Sequence, residues 1–152
     1  MSKFETMVQT YEHKQNVSKF ISFILHDLII RSIYHDDSKL ESPEVDIFTE
    51  YTPKLANTTY GSDEYHQFLK EMKPALDNHY ADNSHHPEHY DNGIEDMDLV
   101  DLIEMVCDWK AATLRHNDGD IYKSLEINQK RFGYSDELKQ IFKNTVDEYF
   151  RD

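Results

Sequence analysis

The sequence predicts an all-α fold, a single helical domain over residues 1–152, and three observations carry that reading. Only four Gly and four Pro interrupt 152 residues, so turns are few and elements long. Apolar residues recur at intervals of three and four rather than alternating. Hydrophobic content of 38%, with 12% aromatic, supports a folded chain despite 30% charged residues, and this length buries a core without disulfides.

The first helix is expected over residues 3–34, which hold no Gly or Pro and place Val17, Phe20, Ile21, Ile24 and Leu28 at helical spacing. His13 continues that buried stripe by one turn, where a titratable ring needs a partner. Taken alone it reads first as a core histidine bonded to a backbone carbonyl. An unbroken helix would hold His13 and His35 about 33 Å apart, so a shared site requires the chain to bend or reverse between them. The pair His26-Asp27, set between Leu25 and Leu28, reads as structural.

Ser42-Pro43-Glu44 then opens a short helix through about Tyr51. Residues 52–61, with Pro53, Asn57 and Gly61, read as the longest loop. Ser62-Asp63-Glu64 starts a helix towards Lys73, and Pro74 allows a kink or a restart before His79. Continued, that helix puts Asn83 on the face of His79. Pro87 to Gly93 forms a loop ending in a turn dipeptide.

A helix over residues 97–115 is apolar around most of its circumference and leaves a strip of Asp101, Glu104, Asp108 and Arg115. That strip is either the solvent face or the lining of an internal cleft, in which Asp108 would be a metal oxygen and Asp101 or Glu104 would orient a histidine. Asn117-Asp118-Gly119-Asp120 makes a turn. Helices follow from Ile121 to about Arg131, capped by Gly133, and from Ser135-Asp136-Glu137 to the end. Lys130 and Arg131 offset the helix dipole or reach a substrate phosphate.

A net charge of −14 argues against direct nucleic-acid backbone binding, which needs clustered Lys and Arg. The single cysteine, Cys107, is expected as a buried thiol in a reducing compartment. The first twelve residues lack the apolar run of a signal peptide, and no stretch has the length of a membrane span, so a cytoplasmic protein without membrane contact is expected.

The chemistry concentrates in residues 78–90, where four of the nine histidines stand beside carboxylates and a proline. Imidazole is the commonest nitrogen ligand for a divalent cation, and His35-Asp36 adds a nitrogen and an oxygen. The alternative for the cluster is a polar loop without a ligand.

Taken together, His13, His35-Asp36, the cluster from His79 to His86, and Asp108 resemble the HD superfamily of metal-dependent phosphohydrolases. His35-Asp36-Asp37-Ser38-Lys39 and His85-His86-Pro87-Glu88-His89-Tyr90-Asp91-Asn92-Gly93 are similar to the HD-GYP branch. The interval from Asp36 to His79 is longer than in that branch, the interval from His79 to His85 shorter, and no Gly-Tyr-Pro follows the His pair, so cyclic di-GMP specificity is not implied. The chain from about Glu12 to Tyr149 also resembles a small family of uncharacterised phage and bacterial proteins with His-Asp-x-Ser-Lys and Asn-x-His-His-Pro-Glu-His motifs.

The resemblance implies one metal held by His13, His35, Asp36 and Asp108, and a second held by His79 with His85 or His86 or both, Asp36 bridging. His66 is the alternative to His79. Two such cations, Mn, Fe or similar, polarise phosphoryl oxygens and make water acidic at neutral pH. Asp36 and Lys39 are the implied catalytic residues, Lys39 meeting charge on the phosphate; otherwise Lys39 is a surface lysine. Asn83, Glu88, His89, Asp101, Glu104 and Arg131 are placed behind the ligands or against substrate. The expected activity is hydrolysis of a nucleotide or other small phosphoester. A mononuclear nucleotidase, and a non-catalytic acidic interaction protein of phage type that binds a host protein, are the competing expectations.

Overall fold

A computed structural model describes residues 2–58, 62–115 and 119–150. Among these residues the chain is helical throughout, with short 3-10 turns and no strand. It groups into two compact units, Met1–His35 and Asp36–Asp152. No helix among the described residues is long and apolar enough to cross a membrane.

The first unit is one helix, α1 (Lys3–Tyr34). Ser2 caps it by accepting from the Glu5 amide while the Glu5 carboxylate accepts from the Ser2 amide, which satisfies two of the donors a helix start leaves open. Nothing inside α1 breaks it, so the chain does not reverse between its two ends. This corrects the expected reversal: along one helix axis His13 and His35 stand about 33 Å apart, and the two cannot hold one ion within a chain. The first unit by itself buries no residue of α1, so nothing within it covers the apolar stripe. His26 is exposed and Asp27 pairs with Arg31 at 3.1 Å one turn on, the structural role read from the sequence.

The second unit begins at Asp36, whose φ of 58° lies in the left-handed region that Asp tolerates through its short polar side chain. A 3-10 turn, Asp37–Leu40, leads to α2 (Glu44–Ala56), α3 (Asp63–Glu71) and α4 (Lys73–Asp82). Here α2 runs five residues beyond its expected end and takes in Pro53, so the loop expected from Thr52 begins later, and residues 59–61 of it lie outside the described residues. Pro74 starts a new helix instead of kinking an old one, since it stands in the first turn of α4 where its missing N–H costs nothing.

Next come α5 (Leu99–Thr113), α6 (Ile121–Phe132) and α7 (Asp136–Tyr149). The turn expected at Asn117-Asp118-Gly119-Asp120 lies partly outside the described residues. Asp98 caps α5 with its carboxylate on the amides of Val100 and Asp101, Ser135 caps α7, and Gly133 closes α6 at φ 71°. Met105, Val106, Ile121, Leu125, Tyr134, Phe142 and Val146 form the core between these three helices. The Trp109 ring stacks on Phe132 at 6.1 Å and meets Phe142 edge-on, arrangements that add about 0.5–1.5 kcal/mol per pair beyond area burial. Cys107 is exposed rather than buried, because it points off α5 away from that core.

The face of α5 that the angles left open is turned inward. Asp101 is buried and Glu104 nearly so, while Leu99 and Ile103 are exposed. A polar strip therefore faces α4 and the histidine loop, and part of the apolar surface faces out.

Candidate metal centre

Within the second unit, Asp36, His79, His85 and His86 each direct one ligand atom into a common space, all within 4.8 Å of one another. His79 comes from the last turn of α4; His85 and His86 come from the bend that follows. Asp36 Oδ1 lies 3.5 Å from Nε2 of His79 and 3.5 Å from Nε2 of His85, and the Nε2 atoms of His79 and His86 are 2.8 Å apart. Ligand atoms about 2.0–2.2 Å from one cation stand roughly 3–3.5 Å from each other, so the spacing suits a shared ion. Asp36 and Asp108 also bring carboxylate oxygens within 4.8 Å of one another.

Two imidazole nitrogens at 2.8 Å make either an N–H···N bond or a pair of lone pairs turned on a cation. Burial keeps the rings of His79 and His86 neutral, so that their lone pairs are not taken by protons. Burial, then the Lys39 ammonium, pushes the His79 pKa down against the pull of Asp36 and Glu44. Burial, then the His85 and His79 rings, pushes His86 down to about 3.

The far side of the rings is organised as metal-ligating histidines require. Nδ1–H of His79 donates to Glu44 Oε2 at 2.9 Å, and Nδ1 of His85 lies 3.3 Å from Glu104 Oε1. Each contact leaves Nε2 as the lone-pair atom aimed into the cluster. Asn83 Nδ2 donates to the Ser38 hydroxyl at 2.9 Å and to the His79 carbonyl at 2.8 Å, tying the Asp36 turn to α4.

Glu44 is the site residue that the sequence reading missed. It is fully buried at the start of α2 and accepts from Asn78 Nδ2 at 2.8 Å as well as from His79. Ser-Pro-Glu at that place looks like an ordinary helix opening, and an acid in a first turn is normally solvated. The available signal was the long interval between Asp36 and His79, which brings one more helix against the site. Glu44→Ala is expected to lower metal affinity about 10–100-fold with helix content retained, as read by metal titration beside circular dichroism.

The other expected residues stand as follows. Of the two acids expected behind a histidine, Glu104 is the one beside His85, while Asp101 accepts from Ser84 Oγ and Tyr90 OH, both at 2.7 Å, and so fixes the loop that carries His85 and His86. Glu88 and Arg131 pair with each other at the surface. The ring of His89 donates from Nδ1 to the Tyr80 carbonyl at 2.7 Å and braces the same loop. His66 is exposed on α3 and belongs to none of the ligand groups among the described residues. His13 belongs to none either.

Lys39 Nζ binds Asp36 Oδ2 at 2.6 Å. It also lines a cleft of about 680 Å³ that opens beside the cluster. His79, His86, Tyr80 and Arg115 give that cleft a polar side, and Val45, Phe48, Met72 and Leu76 an apolar one.

Over residues 2–149 the chain matches the model of a family of unknown function, DUF5662. No curated protein and no solved structure matches it.

Proposed function

We propose that this chain, which belongs to the DUF5662 family, is a metal-dependent hydrolase of a nucleotide or another small phosphoester. The observation that carries the reading is the convergence of the Asp36 carboxylate with His79, His85 and His86 beside a cleft lined by two cations, Lys39 and Arg115. A divalent ion held there supplies Lewis acidity to a phosphoryl oxygen and acidifies water.

The protein's own groups supply the rest. Asp36 gives the one anionic ligand of the histidine cluster, and Asp108, whose carboxylate comes within 4.8 Å of it, serves a second ion, with His35 joining that set on the strength of the sequence. Glu44 and Glu104 hold two rings in the tautomer that presents Nε2. Lys39 stabilises charge on the phosphate at the mouth of the site. The wall of Val45, Phe48 and Leu76 receives the part of the substrate that is not phosphate. A protein of net charge −14 then binds an anion through its cations and through Lys39 and Arg115, not through its overall field. An acidic interaction protein would spread its carboxylates over an exposed face; Asp36, Glu44, Asp101 and Glu104 are instead turned inward, which supports the enzyme.

The test joins elemental analysis of the purified protein with phosphate release from a panel of nucleotides and simple phosphoesters in added Mn. Two equivalents of transition metal and Mn-dependent release from at least one panel member are expected. Protein that takes up no metal and releases no phosphate would sink the reading.

A further inference from the structure

We propose that the cleft beside the histidine cluster is a nucleoside subsite, in which Phe48 and Leu76 select a nucleoside monophosphate over other phosphoesters. This rests on the hydrolase reading above and adds to it the identity of the leaving group. Helix periodicity explains the lining. Val45, Phe48, Thr49, Thr52 and Pro53 stand at i, i+3, i+4, i+7 and i+8 and so share one face of α2. Met72, at the start of α4, shares a face with Leu76, His79 and Tyr80 for the same reason. The two faces run in opposite directions, because Glu44 at the start of α2 meets His79 in the last turn of α4.

The cleft therefore has two unlike ends, both built within the second unit. His79 and His86 of the cluster stand at one with Lys39, and Thr52 and Met72 stand at the other. About eight residues of helix separate them, roughly 12 Å. The order of chemistry along that length selects the occupant. The end with the lysine and the candidate ligands takes an anionic phosphate. In the middle the half-buried Phe48 ring, held edge-on to His79, lies across from Leu76 and makes an apolar slot for a flat ring. Beyond it Thr49 and Thr52 are exposed and offer hydroxyls to the polar edge of a base. A bare sugar phosphate leaves the slot empty, and an alkyl tail gains nothing from the hydroxyls. Each further phosphate between the cluster and the sugar carries the base past Thr52. In the reaction, water adds to phosphorus as the bond from phosphorus to the ester oxygen breaks. That oxygen leaves with the bonding pair and takes a proton from the water, giving a nucleoside and inorganic phosphate.

Phosphate release by the full chain in added Mn tests this with the four common nucleoside 5′-monophosphates, ribose 5-phosphate and hexyl phosphate. The best nucleotide should exceed ribose 5-phosphate about 30-fold or more in kcat/KM, since one stacked base is worth roughly 5- to 150-fold. Phe48→Ala should lower that ratio about 10-fold with metal content retained, and Leu76→Ser should act in the same direction. Phe48→Tyr, which keeps the ring, should preserve the ratio. A merely structural role for Phe48 lowers both rates alike and leaves their ratio unchanged. Three results overturn the subsite while the hydrolase reading stands: a ratio near 1 for the unmodified protein, a ratio that neither Phe48→Ala nor Leu76→Ser moves, or hexyl phosphate turned over as fast as the best nucleotide. Release from none of these probes overturns the subsite too, and the hydrolase reading falls with it only when every other phosphoester is also untouched.

Discussion

Asp36→Ala is expected to remove both the bound metal and phosphoester turnover, with a loss of activity on the order of 10³-fold. Asp36 Oδ1 faces two ring nitrogens at 3.5 Å, and its other oxygen is salt-bridged to Lys39, so one truncation deletes the anionic ligand and releases the lysine that meets the phosphate. The three imidazoles left behind offer a divalent ion no negative charge, so its retention weakens. Asp27→Ala is the matched control: its carboxylate pairs with Arg31 along α1 and contributes about 0.5 kcal/mol or less, so metal content and turnover should stay as they were. Metal analysis and Mn-dependent phosphate release on the two variants decide the matter, and a reversed pattern would show that the wrong His-Asp pair had been chosen.

Phe142→Ala should cost about 3–5 kcal/mol, a large part of the roughly 5–15 kcal/mol that holds a domain folded. The ring is 3% exposed and meets both Trp109 and Tyr134 edge-on, so its loss opens a cavity at the centre of α5, α6 and α7 and removes two aromatic contacts. Urea unfolding followed by Trp109 emission reads the change directly, since the indole packs against the deleted ring. A shift under about 1 kcal/mol would mean that these three helices do not share one core.

Much of the helical plan was legible because it depends on local signals. Caps at Ser62 and Ser135, the glycine at 133, and the long Gly- and Pro-free run of α1 fix boundaries within a residue or two. What failed was set by tertiary contact. Pro53 suggested a loop, yet α2 continues through it, with Tyr51 packed against Phe68 of α3. The stripe on α1 predicted burial; periodicity says that a face is apolar and not what covers it.

For the candidate centre, residue types in a short stretch pointed to His79, His85 and His86, and the His-Asp dipeptide to Asp36. The structure brings those four together. Roles that depend on distant partners were not readable. Asp101 and Glu104 stand three residues apart on one strip, and nothing in their spacing tells that one meets hydroxyls and the other an imidazole. Glu44, hidden in a helix-start signature, needed the packing of α2 against α4 to reach His79.

The knot that Asp101 ties between Ser84, Tyr90 and the amide of Asp98 has a thermodynamic consequence for ion capture. A loop held at that crossing has surrendered part of its freedom during folding, so a cation binding as proposed would meet imidazoles that need little further ordering. On the proposed function, removal of the ion by a chelator should therefore leave helix content unchanged, unlike small zinc modules whose architecture collapses without it.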